Sequence, residues 1–378
     1  MRTIEWRDFP LPLIQVNPPN LSSTDDLIER AYISGIFSNS GEIHREASKV
    51  LAKQVSKDLE GYLCSSNTSG LVSCLIASEV RGKHVVVSNF TFAATLHAVI
   101  MAGGIPVVCD VDDATLVMCQ VSLAKILANE ELQIAAVVPT RVLGFVTDLS
   151  ELIEMCHSLE VPVIVDAASC LPSTKESWNF RKKAEYEVFS LHATKVFGVG
   201  EAGFIAANST NIERIRETSN FGLQVDGSLK FQDGLNAKAD EFTAARVLAR
   251  YPSYEKDVEI RLQFTKLYDE IFSQTQGVQL LSSNSLTIFS YYPVIFKTEE
   301  ALLFFQKSIS KYLTTRRYYF PTLREGYIGS ANIIFDGKLE VSNSISRRIL
   351  CLPVYVNCTN ETRSKIQELV KKSLEGVA

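Results

Sequence analysis

No apolar run in this sequence approaches the ~18 residues that a membrane span requires. The opening stretch, Met1-Arg-Thr-Ile-Glu-Trp-Arg-Asp8, puts charges where a secretory leader needs an apolar core. The expectation is a cytoplasmic protein with no membrane partner. Basic excess is missing too. The formal charge is −5 and the pI is near 5.7, with no cluster of Lys or Arg to meet a phosphate backbone, so nucleic acid is not an expected partner. None of the eight cysteines (Cys64, Cys74, Cys109, Cys119, Cys156, Cys170, Cys351, Cys358) forms a C-x-x-C pair. Most lie in apolar stretches, where a thiol acts as a small buried hydrophobe, so neither a metal site nor a disulfide framework is expected. Repeats and low-complexity tracts are absent. No G-x-G-x-x-G follows the first strand-like run, which counts against a nicotinamide-linked dehydrogenase.

What is present fits a globular α/β chain. Its 378 residues are 46% hydrophobic and 21% charged, enough for a large domain and a smaller one. From about 42 to 210, β-rich runs alternate with helical patterns, the mark of a mostly parallel sheet covered on both faces. His84-Val-Val-Val-Ser88, Ile105-Pro-Val-Val-Cys109, Ile134-Ala-Ala-Val-Val138 and Val161-Pro-Val-Ile-Val165 read as buried strands. Between the last two, Asp148 to Leu159 reads as a helix capped by Asp148, with Leu149, Leu152, Ile153 and Cys156 as its apolar stripe. Val188–His192 and Ala202–Ala207 leave no room for a helix between them and predict neighbouring, antiparallel strands. After a polar stretch from 220 to 238, helices are expected over 240–249 and 254–274, a β-like run over 286–296 and a last helix over 359–374. The boundary is placed between domains 1–245 and 246–378.

Four segments carry candidate chemistry. In an open α/β sheet, ligands collect at the carboxyl ends of parallel strands, and Asp166 ends such a strand, followed by the small residues Ala167, Ala168 and Ser169. Alone, an aspartate there is also an ordinary turn cap. Lys195, in Ser190-Leu-His192-Ala-Thr-Lys195, lies between an apolar strand and a glycine-rich loop. That crowded setting lowers an amine's pKa and favours the neutral form that attacks a carbonyl. Ser65-Ser-Asn-Thr68-Ser69-Gly70 opens an apolar helix, whose free N–H groups and hydroxyls make an anion site, although simple capping would use the same residues. Asn89-Phe-Thr-Phe92 sets an aromatic face at the same edge, with Phe90 equally readable as core.

In this order and spacing the segments resemble the sugar aminotransferases of the DegT/StrS group, pyridoxal phosphate (PLP) enzymes of fold type I, over nearly the whole chain. The resemblance implies a large, mostly parallel seven-stranded sheet domain flanked by helices, plus a smaller C-terminal α+β domain. It implies PLP as cofactor, with Lys195 bound covalently to its aldehyde and Asp166 holding its ring nitrogen as the catalytic pair. Thr68, Ser69 and Ser190 would face the phosphate, Phe92 would stack on the ring, and Ser169 would stand where the family carries Gln or His. Asn236, in Gly234-Leu-Asn236-Ala-Lys238-Ala-Asp-Glu241, would reach the phosphate of a neighbouring subunit, implying a homodimer with active sites at the interface. On the substrate side the resemblance places Asn39 and Gly41 of Gly35–Gly41, together with His192, Lys238, Tyr318 and Tyr319.

The implied activity is transfer of an amino group from L-glutamate to a nucleotide-linked keto-sugar for amino-sugar, O-antigen or related glycan synthesis. A 4-keto-6-deoxyhexose is favoured because His192-Ala-Thr-Lys-Val-Phe197 and Asn220-Phe-Gly222 resemble the 4-amino-4,6-dideoxy-sugar branch. A 3-keto sugar or a small keto or aldehyde compound stays open, as does a non-catalytic PLP-binding protein, toward which Ser169 points.

Overall fold

The structure is a computed structural model and describes residues 3–172, 180–281 and 286–377. Seven strands form the main sheet: β1 (Glu60–Cys64), β2 (His84–Ser88), β3 (Ile105–Cys109), β4 (Ile134–Val138), β5 (Ile164–Asp166), β6 (Tyr186–Ser190) and β7 (Gly203–Ala207). The order is β1-β7-β6-β5 in one half and β4-β2-β3 in the other. Parallel bridges Val137–Val163 and Thr140–Asp166 join β4 to β5. Only β7 runs antiparallel, against both β1 and β6. The twelve-residue link between them holds no helix to make a parallel crossover, and β6 and β7 pair antiparallel through a connection that carries Lys195.

The sheet is apolar on both faces because helices cover both. Val85 and Val87 of β2 pack with Leu71, Leu75, Leu96 and Val99 on one side. Val86 points to the other, among Ile43, Leu51, Leu152 and Ile153. The helix expected over 148–159 is shorter, Ser150–His157, because the Asp148 carboxylate accepts the Ser150 amide at 2.8 Å outside the helical ladder. Likewise β5 starts at Ile164 rather than Val161, and β6 stops at Ser190 rather than His192, whose backbone turns into the lysine loop.

The C-terminal part adds the remaining strands. Strands β8 (Val278–Gln279), β9 (Tyr291–Phe296) and β11 (Ile349–Pro353) form an antiparallel sheet in the order β11-β9-β8. Strand β10 (Ile334–Phe335) instead extends the main sheet, parallel to β3. Residues Ile4, Leu11 and Leu13 pack in the C-terminal core with Phe264, Tyr268 and Leu350.

The two helices expected after residue 240 are one, Glu241–Phe272, running through Pro252 and through the 245/246 boundary. A mid-helix proline removes one hydrogen bond and costs roughly 3 kcal/mol, so something must hold both sides of it. Arg250, fully buried, donates to Ser253 Oγ at 2.5 Å and ion-pairs with the buried Asp257 one turn beyond the proline. Arg250 also reaches Val196 O at 3.4 Å, and Tyr254 packs edge-on to Phe197 with 4.9 Å between ring centroids. The helix therefore braces the loop that carries Lys195. Asp257→Ala, which leaves a buried guanidinium without its partner, is expected to lower unfolding free energy by about 3–5 kcal/mol. A urea titration measures this, and a loss below about 1 kcal/mol would class the pair with exposed ones.

Candidate active site

Asp166 sits at the carboxyl end of β5 and is 3% exposed. Its Oδ2 accepts from Thr95 Oγ1 at 2.7 Å, and Oδ1 accepts from the Ala168 amide at 3.2 Å and from Asn67 Nδ2 at 3.4 Å. Burial pushes this carboxyl above the usual carboxylate range. The Thr95 bond, the Ala168 amide, the Lys195 charge and the Asn67 amide pull against it, in that order.

Lys195 Nζ donates to Ser169 Oγ at 3.1 Å. Burial holds the amine below the ordinary lysine range, opposed by Asp166 and then Cys170. Burial likewise pushes the Cys170 thiol up to about 12, so it stays protonated. The loop around Lys195 is tied to itself, with Ala193 N donating to Gly200 O at 2.7 Å and Lys195 N to His192 O at 2.8 Å. His192 Nδ1 meets Thr194 Oγ1 at 2.8 Å, and its Nε2 lies 3.2 Å from Glu201.

One cavity of about 320 Å³ brings together Thr68, Phe92, Asp166, Ser169, Ser190, His192, Lys195, Tyr318 and Tyr319. Phe90 is core, fully buried and edge-on to Tyr319, whereas Phe92 is 54% exposed and faces the cavity. Residues without an assigned role in the sequence reading also line it, among them Asn67, Thr91, Thr140, Arg141, Glu201, Tyr291 and Arg316. Asn67 and Thr91 belong to the segments already singled out. Arg141 and Glu201 carry no local pattern that would have marked them.

The other expected site residues lie elsewhere. Ser69 is spent in a capping box, exchanging bonds with Ser66 at 3.1 and 3.0 Å. Asn39, with φ of 60°, and Gly41 belong to a loop drawn onto Glu241, which accepts from the amides of Ile43 and His44 and donates its own amide to Phe37 O. Asn236 is exposed, and Lys238 Nζ donates to Asn220 Oδ1 at 2.7 Å over the Phe221 ring. That segment passes beside Ser65 without lining the cavity, as Ala237 O accepts from the Ser65 amide at 2.8 Å.

These groups fit PLP. A primary amine shifted toward its neutral form by burial can hold an aldehyde, and a buried carboxylate can hold a ring N–H. The N-terminus of the helix Asn67–Ala77, with Thr68 and Ser190 at hand, can receive a phosphate. The cradle is close-walled at Gly203, where a Cβ would fall 2.3 Å from the Ser66 backbone.

The chain is 23% identical over 371 residues to dTDP-4-amino-4,6-dideoxy-D-glucose transaminase of Shigella dysenteriae, covering 96% of this chain and 99% of the relative. Among solved structures it superposes on DesI crystallised with its TDP-sugar product, with a TM-score of 0.84 at 23% identity over 98% of this chain and 94% of that one. It also superposes on NtdA of Bacillus subtilis with PMP bound as cofactor, with a TM-score of 0.79 at 20% identity over 94% and 82%. The family model for DegT/DnrJ/EryC1/StrS aminotransferases matches residues 22–371, and this chain belongs to that family as a PLP-dependent transaminase.

Proposed function

We propose that this protein moves an amino group from L-glutamate to C4 of a nucleotide-linked 4-keto-6-deoxyhexose, working as a cytoplasmic homodimer in amino-sugar or O-antigen synthesis. The observation that carries the reading is the meeting of Lys195 and Asp166 in one cavity that adjoins a second, of about 290 Å³. The two spaces share Thr91, Phe92, Arg316, Tyr318 and Tyr319, and the second adds Phe320 and Tyr327. Together they offer aromatic faces for sugar and base. Arg316 lies over Tyr318 at 4.5 Å with no carboxylate partner among the described residues, while the neighbouring Arg317 is paired with Glu299. An unpaired guanidinium beside the cavity suits a carboxylate or a diphosphate.

When bound, PLP supplies an aromatic ring that accepts the electron pair left as a proton departs from the carbon next to nitrogen. Asp166 holds the proton on the ring nitrogen, and Thr95 and Asn67 hold Asp166. Lys195, whose burial favours the neutral amine, would both anchor the cofactor and carry the proton from the donor's α-carbon; Ser169 orients its Nζ from 3.1 Å. Dimerisation is supported by exposed apolar surface around the Asn39 loop. There Tyr32 and Phe37 are 66% and 39% exposed, and Phe37 stacks on Phe242 at 5.8 Å. That loop is held on Glu241 and the Asn236–Lys238 segment on Ser65 and Asn220, both outside the cavity of their own chain, as groups serving a partner's cavity would be.

The test is a panel of nucleotide-linked 3-keto and 4-keto sugars incubated with L-glutamate. Loss of the yellow colour on adding glutamate, followed by amination of a 4-keto-6-deoxy sugar, is expected. Amination confined to 3-keto sugars, or no colour change with any amino acid, overturns the reading.

A further inference from the structure

Three buried threonines from two separate segments line up on the Asp166 carboxylate. Thr140, just past β4, places its Oγ1 2.9 Å from that of Thr91, in the loop after β2. Thr91 Oγ1 lies 2.8 Å from that of Thr95, in the first turn of the helix Ala93–Met101, and Thr95 Oγ1 lies 2.7 Å from Asp166 Oδ2. Their exposures are 4%, 2% and 0%, so water does not compete for these bonds. Each hydroxyl has a single proton to donate, and an ionised carboxylate only accepts. Thr95 therefore spends its proton on Asp166 and can only accept from Thr91. Thr91, its own proton spent, can only accept from Thr140. The direction of every bond follows from the last one.

We propose that Thr140, Thr91 and Thr95 form a one-way hydroxyl relay, ending on Oδ2, that fixes the orientation and the charge of the Asp166 carboxylate. Aligned hydroxyls polarise one another, so each strengthens the bond that follows it. Asn67 secures the other oxygen, which leaves the carboxylate no freedom to rotate. All three threonines act on Asp166 and are positioning residues. A role as mere filler would need volume and no sequence of donors. The relay opposes the burial that raises the proton affinity of Asp166, where the groups facing it include the Cys170 thiol and the Tyr319 phenol, which burial keeps protonated. The cations nearby are Lys195, which is held toward its neutral form, and Arg141, which is paired with Glu187.

The inference rests on the reading of Asp166 as the cofactor's partner, and its test is run so that the two can fail separately. The protonation midpoint of Asp166 is followed in the cofactor-free protein by its carboxyl infrared band, identified by its loss in Asp166→Asn. Thr95→Val is expected to raise proton affinity roughly tenfold, the scale of a lost bond to a charged group. Thr91→Val should raise it less and Thr140→Val least, while Thr91→Ser and Thr140→Ser, which keep the donor, stay at the wild-type midpoint. The PLP dissociation constant, read by equilibrium dialysis, should rise in the same order. A Thr91→Val midpoint equal to wild type overturns the relay, as does a serine variant that shifts as far as its valine counterpart. Should a valine variant not fold, the serine variants and Thr95→Ser against Thr95→Val under mild osmolyte still decide. If the protein does not bind PLP at all, the proposed function falls while the infrared titration still reports on the relay.

Discussion

Lys195→Ala folds, with thermal unfolding within the usual range for a loop substitution, and loses roughly 10⁴-fold or more of its steady-state transamination rate. The size follows from two duties resting on one atom. Nζ is the only amine lining the cavity among the described residues, so no neighbour can anchor the cofactor or carry the proton in its place. Burial and the hold of Val196 and Phe197 on the long helix belong to the backbone and flanking side chains, which alanine leaves intact. Borohydride reduction followed by peptide mapping gives a pyridoxyl adduct on residue 195 in the wild type and none there in the variant. In wild type, capture of PLP by the cofactor-free protein increases with pH, through a midpoint below the ordinary lysine range, because burial favours the neutral amine. Unimpaired turnover of the variant would reject the mechanism.

Asp166→Asn is the second large effect. The substitution keeps the shape but removes the charge and replaces one acceptor oxygen with a donor facing Thr95 or the Ala168 amide. Breaking a buried charge pair costs about 3–5 kcal/mol, which corresponds to a loss on the order of 10²- to 10³-fold. The loss should appear both in turnover and in cofactor retention on gel filtration. A variant with wild-type turnover would show that the ring nitrogen has no need of an anion. Asp166→Asn also separates this residue from Lys195, since its colour should still form and bleach slowly, while Lys195→Ala should not hold the cofactor covalently.

Much of this architecture is written locally. The runs His84–Ser88, Ile105–Cys109 and Ile134–Val138 are strands at the very residues expected, because continuous apolar character has only one stable place in an α/β chain, the interior of a covered sheet. The missing helix between β6 and β7 foretold their antiparallel pairing by length alone. Asp166 at a strand end and Lys195 before a glycine loop were equally legible, since strand ends and loop composition are short-range properties.

Other features depend on contacts that no local pattern reports. Pro252 marks a break by propensity, yet the helix continues, because Arg250 and Asp257 close across it and Tyr254 docks on the lysine loop. Ser69 satisfies any motif for an anion site, but the backbone at Ser66 claims its hydroxyl first. Asn39, Gly41, Asn236 and Lys238 stand in recognisable segments, and only folding shows that the first two lie in a loop held on Glu241 and the last two beside Ser65 and Asn220, all outside the lining of their own cavity. The donors on Asp166 come from residues 67 and 95, and those behind them from 91 and 140. By itself, then, the sequence determined which segments are strands and which two residues, Asp166 and Lys195, are the candidates to hold a cofactor, because periodicity and short motifs act over a few residues. Which side chains surround that pair was decided by the tertiary structure, because hydrogen bonds have a reach of about 3 Å and only packing sets which distant segments come that close.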